Sequence, residues 1–132
     1  MKGFNANIEN ATRGNRDFRR VVYTSKHFQL VLMSLGPNEE IGAEVHPDND
    51  QFFRFEGGHG KCIIDGNEYD VGNGDVVIIP AGARHNIINV DTKTDLKMYT
   101  IYAPPHHQDG IIRATKAEAE TNSPEFDGKT TE

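Results

Sequence analysis

Short apolar runs alternate with glycine, proline and polar turn residues along most of this chain. Runs of four to eight residues, bounded by turn residues at regular spacing, are typical of antiparallel sandwiches and barrels. The pattern predicts nine strands, over residues 20–23, 28–35, 42–46, 51–55, 61–64, 68–71, 76–79, 85–90 and 96–102. We therefore expect an all-β fold.

Corners that contain glycine separate several of these predicted strands. Asp65-Gly66 supplies the positive φ that a tight hairpin requires, and residues 72–74 predict the next corner. Residues 57–60 predict a further hairpin turn. The only helix that the pattern predicts is a short one after Thr115, where the sequence has the form of a capping box.

Both ends of the chain are more polar than its middle. From Asn122 onward the chain lacks the apolar surface that would offset its ordering entropy, so we expect a frayed tail. Near the start, Phe4, Ile8 and Phe18 could fix an edge strand onto this or a neighbouring subunit. We predict a single domain over residues 1–112, with its core at about 20–105, followed by a short helix and polar tail over 113–132.

The amino-acid composition supports a strand-rich domain with a small-molecule partner. Valine and isoleucine together number 19 and leucine numbers 4, and β-branched side chains fit pleated strands better than helices. The net charge of −6 argues against nucleic-acid binding driven by counterion release. No apolar stretch approaches the roughly 20 residues of a membrane helix, and the first residues lack an export signal. We expect a soluble, cytoplasmic protein, and the single Cys62 is consistent with a reducing compartment.

Two predicted strands place chemically active side chains on their inner faces. Glu44 and His46 are two residues apart, so their side chains leave the same face of a strand and can converge on one point. In the next strand, period two turns Gln51, Phe53 and Phe55 inward, and the two rings are expected in the core. A buried glutamine needs partners, because an unsatisfied amide costs about 1–3 kcal/mol. A metal ion would be one such partner.

The spacing of several residues carries a family resemblance. The later set of residues is Gly74, Pro80, Ala81, Gly82, His85 and Asn89, and the earlier set is Glu44, His46, Gln51 and Gly58. Together they resemble the paired motifs of the cupin superfamily, and in particular small single-domain cupins grouped with sugar-phosphate isomerases. The resemblance covers roughly residues 29–105. It implies a cupin-type antiparallel β-barrel or jelly-roll sandwich, with a metal near one open end.

The resemblance implies a metal-ligand set of Glu44, His46, Gln51 and His85. This chain differs from the usual cupin pattern, because Glu44 replaces the first histidine, Gln51 replaces the glutamate, and Asn38 stands where a glycine is usual. The set keeps a single negative charge, as three histidines and a glutamate would. Nitrogen and oxygen donors without thiolate suit one divalent transition metal, with manganese favoured and iron, nickel, cobalt or zinc also suitable. The alternative is a cupin that has lost its metal.

Tyr102 and Asp50 are the candidate catalytic residues, as acid, base or orienting groups. His106 and His107 follow two prolines near a polar end, so a solvated surface position is favoured over a lid above the site. His59 lies in a predicted turn and is expected to be exposed.

Three functions are compatible with this sequence. The first is an enzyme that uses the ion as a Lewis acid on a small oxygen-rich substrate, for isomerisation or for hydrolysis of an amide, imide or lactone ring. The second is an iron-dependent dioxygenase, because His46, His85 and Glu44 make up two histidines and a carboxylate. The third is a binding module without turnover. The resemblance also implies a homodimer, and the net charge and the lack of a long apolar stretch predict no nucleic-acid or membrane partner.

Overall fold

Two antiparallel sheets packed as a sandwich make up the computed structural model of this chain, which describes residues 1–132. The helices are α1 (Ile8–Gly14) and α2 (Lys116–Thr121). The strands are β1 (Arg19–Thr24), β2 (Gln29–Leu35), β3 (Glu44–Val45), β4 (Asp50–Gly57), β5 (His59–Ile64), β6 (Asn67–Gly72), β7 (Val76–Ile79), β8 (Arg84–Asn89), β9 (Leu96–Ala103) and β10 (Ile112–Arg113).

The larger sheet has the order β10-β1-β2-β9-β4-β7, and the smaller sheet has the order β3-β8-β5-β6. The predicted jelly-roll sandwich is confirmed, and each of the nine predicted strands overlaps one of β1–β9. The third strand is shorter than predicted, because only Glu44 and Val45 pair with β8. The short β10, which pairs with β1, is an addition that the apolar pattern does not predict.

The core lies between the two sheets and follows the alternation of their strands. In β9 every second residue from Leu96 to Tyr102 is buried, and Phe53 and Phe55 of β4 are 1% and 0% exposed. Both rings are therefore core residues, as predicted. Burying a side chain of this size contributes roughly 1.5–3 kcal/mol to the stability of the fold. This inner layer therefore stabilises the sandwich.

The hairpin at Asp65 and Gly66 is confirmed, since both residues have positive φ, of 46° and 81°. The predicted hairpin over residues 57–60 is wrong. β4 belongs to the larger sheet and β5 to the smaller one, so these residues cross between the sheets. Gly58 makes this crossing with a φ of 87°, against the backbone of Asp95 and Leu96.

The two helices lie outside the sandwich and begin at side-chain caps. The predicted helix is confirmed as α2, where the Thr115 hydroxyl accepts a hydrogen bond from the Glu118 N–H at 3.2 Å. The helix α1 is not predicted by the apolar pattern, which suggests an edge strand there. Asn7 caps α1 by accepting the Asn10 N–H at 3.0 Å. Neither helix has the length and apolarity that a membrane-crossing helix needs.

The polar C-terminal tail packs back along the sandwich, although its composition predicts a frayed end. The N–H of Phe126 donates to the carbonyl of His106 at 3.0 Å, and the N–H of Thr131 donates to the carbonyl of Thr24 at 2.9 Å. Backbone hydrogen bonds rather than apolar burial hold the tail, which is why hydropathy gives no sign of it.

Candidate metal centre

The pairing of β3 with β8 brings the predicted metal ligands together. Glu44 lies directly opposite His85 in this ladder, and His46 follows immediately after β3. The turn before β8 is fixed to the same region, because the Gly82 N–H donates to the carbonyl of His46 at 2.9 Å. Motif residues that are distant in sequence are therefore held at one end of the sandwich.

Glu44, His46 and His85 form one cluster, in which a ligand atom from each lies within 4.8 Å of the others. The Oε2 of Glu44 is 3.0 Å from the Nε2 of His46 and 4.0 Å from the Nε2 of His85. The two imidazole ring centroids are 5.2 Å apart. Two imidazole nitrogens and one carboxylate oxygen at these separations could hold one divalent transition metal.

The hydrogen bonding of His85 fits a metal ligand. Its Nδ1 lies 3.0 Å from the carbonyl of Ala83, so Nδ1 carries the hydrogen and donates it. Nε2 then has a free lone pair, and this buried atom has no hydrogen-bond partner. Burial also lowers the pKa of His85, which favours the neutral form that coordinates metals. A cation would supply the partner that the protein does not.

Glu44 is charged at neutral pH. Burial acts to raise its pKa, but the hydrogen bond with His46 and the electrostatic influence of His46, Arg19 and His85 outweigh burial and hold the pKa below its usual range. A charged carboxylate beside an unpartnered imidazole nitrogen suits a divalent cation. The donor set therefore fits a metal ion.

Gln51 points inward as predicted and is 3% exposed. Its Nε2 donates to the Thr100 hydroxyl at 3.0 Å, which leaves its Oε1 buried without a hydrogen-bond partner. Gln51 Oε1 and His85 Nε2 are thus two unpartnered buried acceptors, both on residues of the predicted ligand set. The role of Gln51 as a fourth ligand stays a prediction.

The two predicted catalytic residues have different surroundings. Tyr102 is 2% exposed, its ring centroid is 5.7 Å from that of His46, and burial raises the pKa of its hydroxyl well above the usual range. Asp50 is exposed at the start of β4, and its Oδ1 accepts the Ala81 N–H at 2.8 Å. Asp50 therefore fixes the turn before β8. An acid or base role for either residue stays a prediction.

The expected solvated surface position is wrong for both histidines, because His107 is buried and His106 is half-buried against the candidate site. The ring of His106 is 4.5 Å from that of His46, and His107 is 4% exposed. The buried amide of Gln29 draws this segment inward, since its Oε1 accepts the N–H of His107 at 2.9 Å and its Nε2 donates to the carbonyl of His107 at 2.7 Å. A glutamine at an inward strand position is the sequence signal that could have indicated this contact. His59 is exposed, as predicted.

The buried His107 should make the metal-free protein less stable in acid. Burial, with the nearby charges of Arg19, His106 and His46, lowers the pKa of His107 to about 2. Below pH 6.5 the unfolded chain takes up a proton that the folded chain does not, so this residue should remove about 1.4 kcal/mol of stability per pH unit. We expect His107→Gln to show a shallower loss of unfolding free energy between pH 6.5 and 4.5.

Urea unfolding in the presence of a chelator, at several pH values, measures this slope. His59→Gln removes an exposed histidine and serves as the control variant. Parallel stability curves for wild type and His107→Gln would contradict the prediction.

Comparison with known proteins agrees with the fold and the motifs. Residues 31–102 match the family described as Cupin domain. A crystal structure of BH2720 from Bacillus halodurans is 40% identical, with a TM-score of 0.89, and the match covers 92% of this chain and 96% of that one. The chain belongs to the cupin family.

Other relatives of this cupin are matched over less of their length. Uncharacterized protein YrkC of Bacillus subtilis is 46% identical over 124 residues, which are 89% of this chain and 66% of that protein. This cupin thus spans slightly less than two thirds of that relative. Quercetin 2,3-dioxygenase of Bacillus subtilis is 29% identical over 89 residues, which are 67% of this chain and 26% of that enzyme.

Proposed function

We propose that this cupin is an enzyme that uses a divalent ion, bound by Glu44, His46 and His85, as a Lewis acid on a small oxygen-rich substrate. The observation that carries the proposal is the buried, unpartnered Nε2 of His85, 4.0 Å from the carboxylate of Glu44. When bound, such an ion polarises a carbonyl oxygen or lowers the pKa of a water molecule. The reactions that we propose are isomerisation, or hydrolysis of an amide, imide or lactone ring. The metal that we propose is manganese.

Tyr102 and His106 flank His46 and are the side chains placed to orient a substrate there. Burial raises the pKa of Tyr102, so its hydroxyl stays protonated, and this hydroxyl lies 3.3 Å from the Nε2 of His107. Burial lowers the pKa of His106, so its imidazole is neutral near pH 7 and can accept a proton. We propose these two groups as the proton-handling pair beside the ligand cluster. Asp50 would act indirectly, through the turn that it fixes.

An iron-dependent dioxygenase is the second candidate. Two histidines and one carboxylate are the ligand set of many non-haem iron oxygenases, and His46, His85 and Glu44 supply it. The 29% identity with quercetin 2,3-dioxygenase also favours this candidate. That enzyme is a longer protein, and its reaction belongs to the whole of it.

Oxygen consumption separates the two candidates. The protein is loaded with Mn²⁺ or, without air, with Fe²⁺, and is mixed with lactones, cyclic imides, aldose–ketose pairs and flavonols. We expect product, followed by NMR, without oxygen uptake, and no product after chelation. Oxygen uptake that requires Fe²⁺ and one substrate would favour the dioxygenase. A metal-loaded protein that turns over none of these compounds would contradict the enzyme proposal and favour a binding module.

A further inference from the structure

Arg19 is a buried cation that has no acidic partner in this structure. It is 7% exposed, and no carboxylate lies within ion-pair distance of its guanidinium. Its one hydrogen bond runs from Nη1 to the Ser123 hydroxyl, at 3.1 Å, and its buried Nε has no partner. The guanidinium also lies 5.4 Å from the centre of the Phe18 ring. The protein therefore provides partners for only some of the hydrogen-bond donors of Arg19.

The position of Arg19 in β1 makes its charge unusual. Arg19 pairs with Met33 of β2, and it occupies an inward position two residues before Val21. Met33 and Val21 are buried apolar residues, 1% and 5% exposed. An unpaired charge at such a position costs several kcal/mol, and a neutral donor would serve a hydrogen bond to Ser123 equally well. The hydrogen bond to Ser123 therefore does not explain why the residue at this position carries a charge.

A pocket of about 260 Å³ lies beside Arg19 and reaches Glu44, which is the one residue of the cluster that lines it. Both Arg19 and Glu44 line it, together with His106 and with residues of α2 and the tail. Lys116 in the same wall is already 3.8 Å from the carboxylate of Glu120, and Glu44 faces the two histidines. Arg19 thus forms no ion pair, although the carboxylates of Glu44, whose pKa its charge lowers, and of Glu125 also line the pocket.

We propose that Arg19 binds a carboxylate group of the substrate, whose reacting oxygen-bearing end lies at Glu44, His46 and His85. A guanidinium binds a carboxylate through two parallel hydrogen bonds. Such a contact would neutralise the charge of Arg19 and also give partners to its unused donors. Because the carboxylates of Glu44 and Glu125 also line the pocket, a group with one negative charge fits beside Arg19 better than a phosphate dianion. The substrate is then a small carboxylic acid. The position of the reacting end of this substrate, at the proposed metal site, rests on the proposed function.

Binding of short dicarboxylates tests this assignment. Malonate, succinate and glutarate are titrated by calorimetry into metal-loaded and into metal-free protein, with the uncharged diamides as control ligands. Arg19→Met removes the charge and keeps most of the side-chain volume. Arg20→Met is the matched control, because Arg20 is the next residue of β1, is exposed and pairs with Asp17. The metal content of every sample is measured by elemental analysis.

We expect at least one dicarboxylate to bind, and to bind about tenfold more weakly or worse to Arg19→Met, since a hydrogen-bonded charge pair contributes more than about 1.4 kcal/mol. Arg20→Met should match wild type, and Arg19→Lys should lie between the two. The melting temperature of Arg19→Met should equal or exceed that of wild type, because an apolar side chain replaces an unpaired buried charge.

The outcomes distinguish this inference from the proposed function. Binding that depends on Arg19 in protein that takes up metal supports both. Binding that depends on Arg19 in protein that takes up no metal supports the carboxylate site and overturns the metal enzyme. Equal binding to wild type and Arg19→Met, or no binding of any dicarboxylate, overturns the carboxylate site. A clearly lower melting temperature for Arg19→Met would also overturn it, since the arginine would then be structural.

Discussion

Glu44→Ala and His85→Ala should each lose nearly all of the bound metal that wild type retains. Glu44 places a carboxylate oxygen within 4.8 Å of both histidine nitrogens, so each substitution removes one of three clustered ligands. Loss of a group that merely orients a ligand costs 10–100-fold in affinity, so loss of a ligand should cost about a hundredfold or more. Elemental analysis of protein that has been incubated with Mn²⁺ and dialysed measures the retained metal.

Glu68→Ala and His59→Ala are matched controls, because they remove an exposed glutamate and an exposed histidine. Both should retain metal as wild type does. Gln51→Glu should retain more metal, since it adds a negative charge at an inward position of β4. Equal retention by Glu44→Ala and Gln51→Glu would contradict the ligand assignment.

Gly58→Ala should destabilise the fold by about 3 kcal/mol or more, because backbone strain and a steric clash act at the same position. The φ of Gly58 is 87°, which a residue with a Cβ rarely adopts. A Cβ there would lie 3.0 Å from the Cα of Leu96 and closer still to the carbonyl oxygen of Asp95. Both neighbours are backbone atoms, which cannot rotate away. Unfolding in guanidinium chloride measures the loss.

Gly66→Ala separates the two contributions. Gly66 has a similar φ, of 81°, but a Cβ there would meet nothing within 4 Å. This variant should lose about 1 kcal/mol, from backbone strain alone. If both variants lose the same stability, the close approach of Gly58 to Asp95 and Leu96 contributes nothing.

The strands and the proximity of Glu44, His46 and His85 were predictable because their signals are local. Alternation and turn residues fix where a strand begins and ends, and the two-residue spacing of Glu44 and His46 fixes their common face. The family motif then adds His85 from the neighbouring strand, and the ladder places it opposite Glu44.

The features that the sequence does not predict depend on contacts between distant parts of the chain. His106 and His107 are drawn inward by Gln29, some 77 and 78 residues earlier. Residues 57–60 contain the glycines of a hairpin, yet the two strands that they join belong to different sheets. The helix α1 depends on one capping asparagine, which hydropathy does not detect. No short-range pattern carries this information.

The pocket wall is built largely from residues outside the part of the chain that defines the family. The match ends at residue 102 and begins after Arg19, whereas Arg19, His106 and the residues of α2 line the pocket. Under the proposed role of Arg19, substitutions in these flanking segments would change which substrate binds, while Glu44, His46 and His85 inside the matched region stay unchanged. Two relatives that share every motif residue need not share a substrate. Under the same proposal, the residue that a relative carries in the place of Arg19 should be a better guide to its substrate than its overall sequence identity.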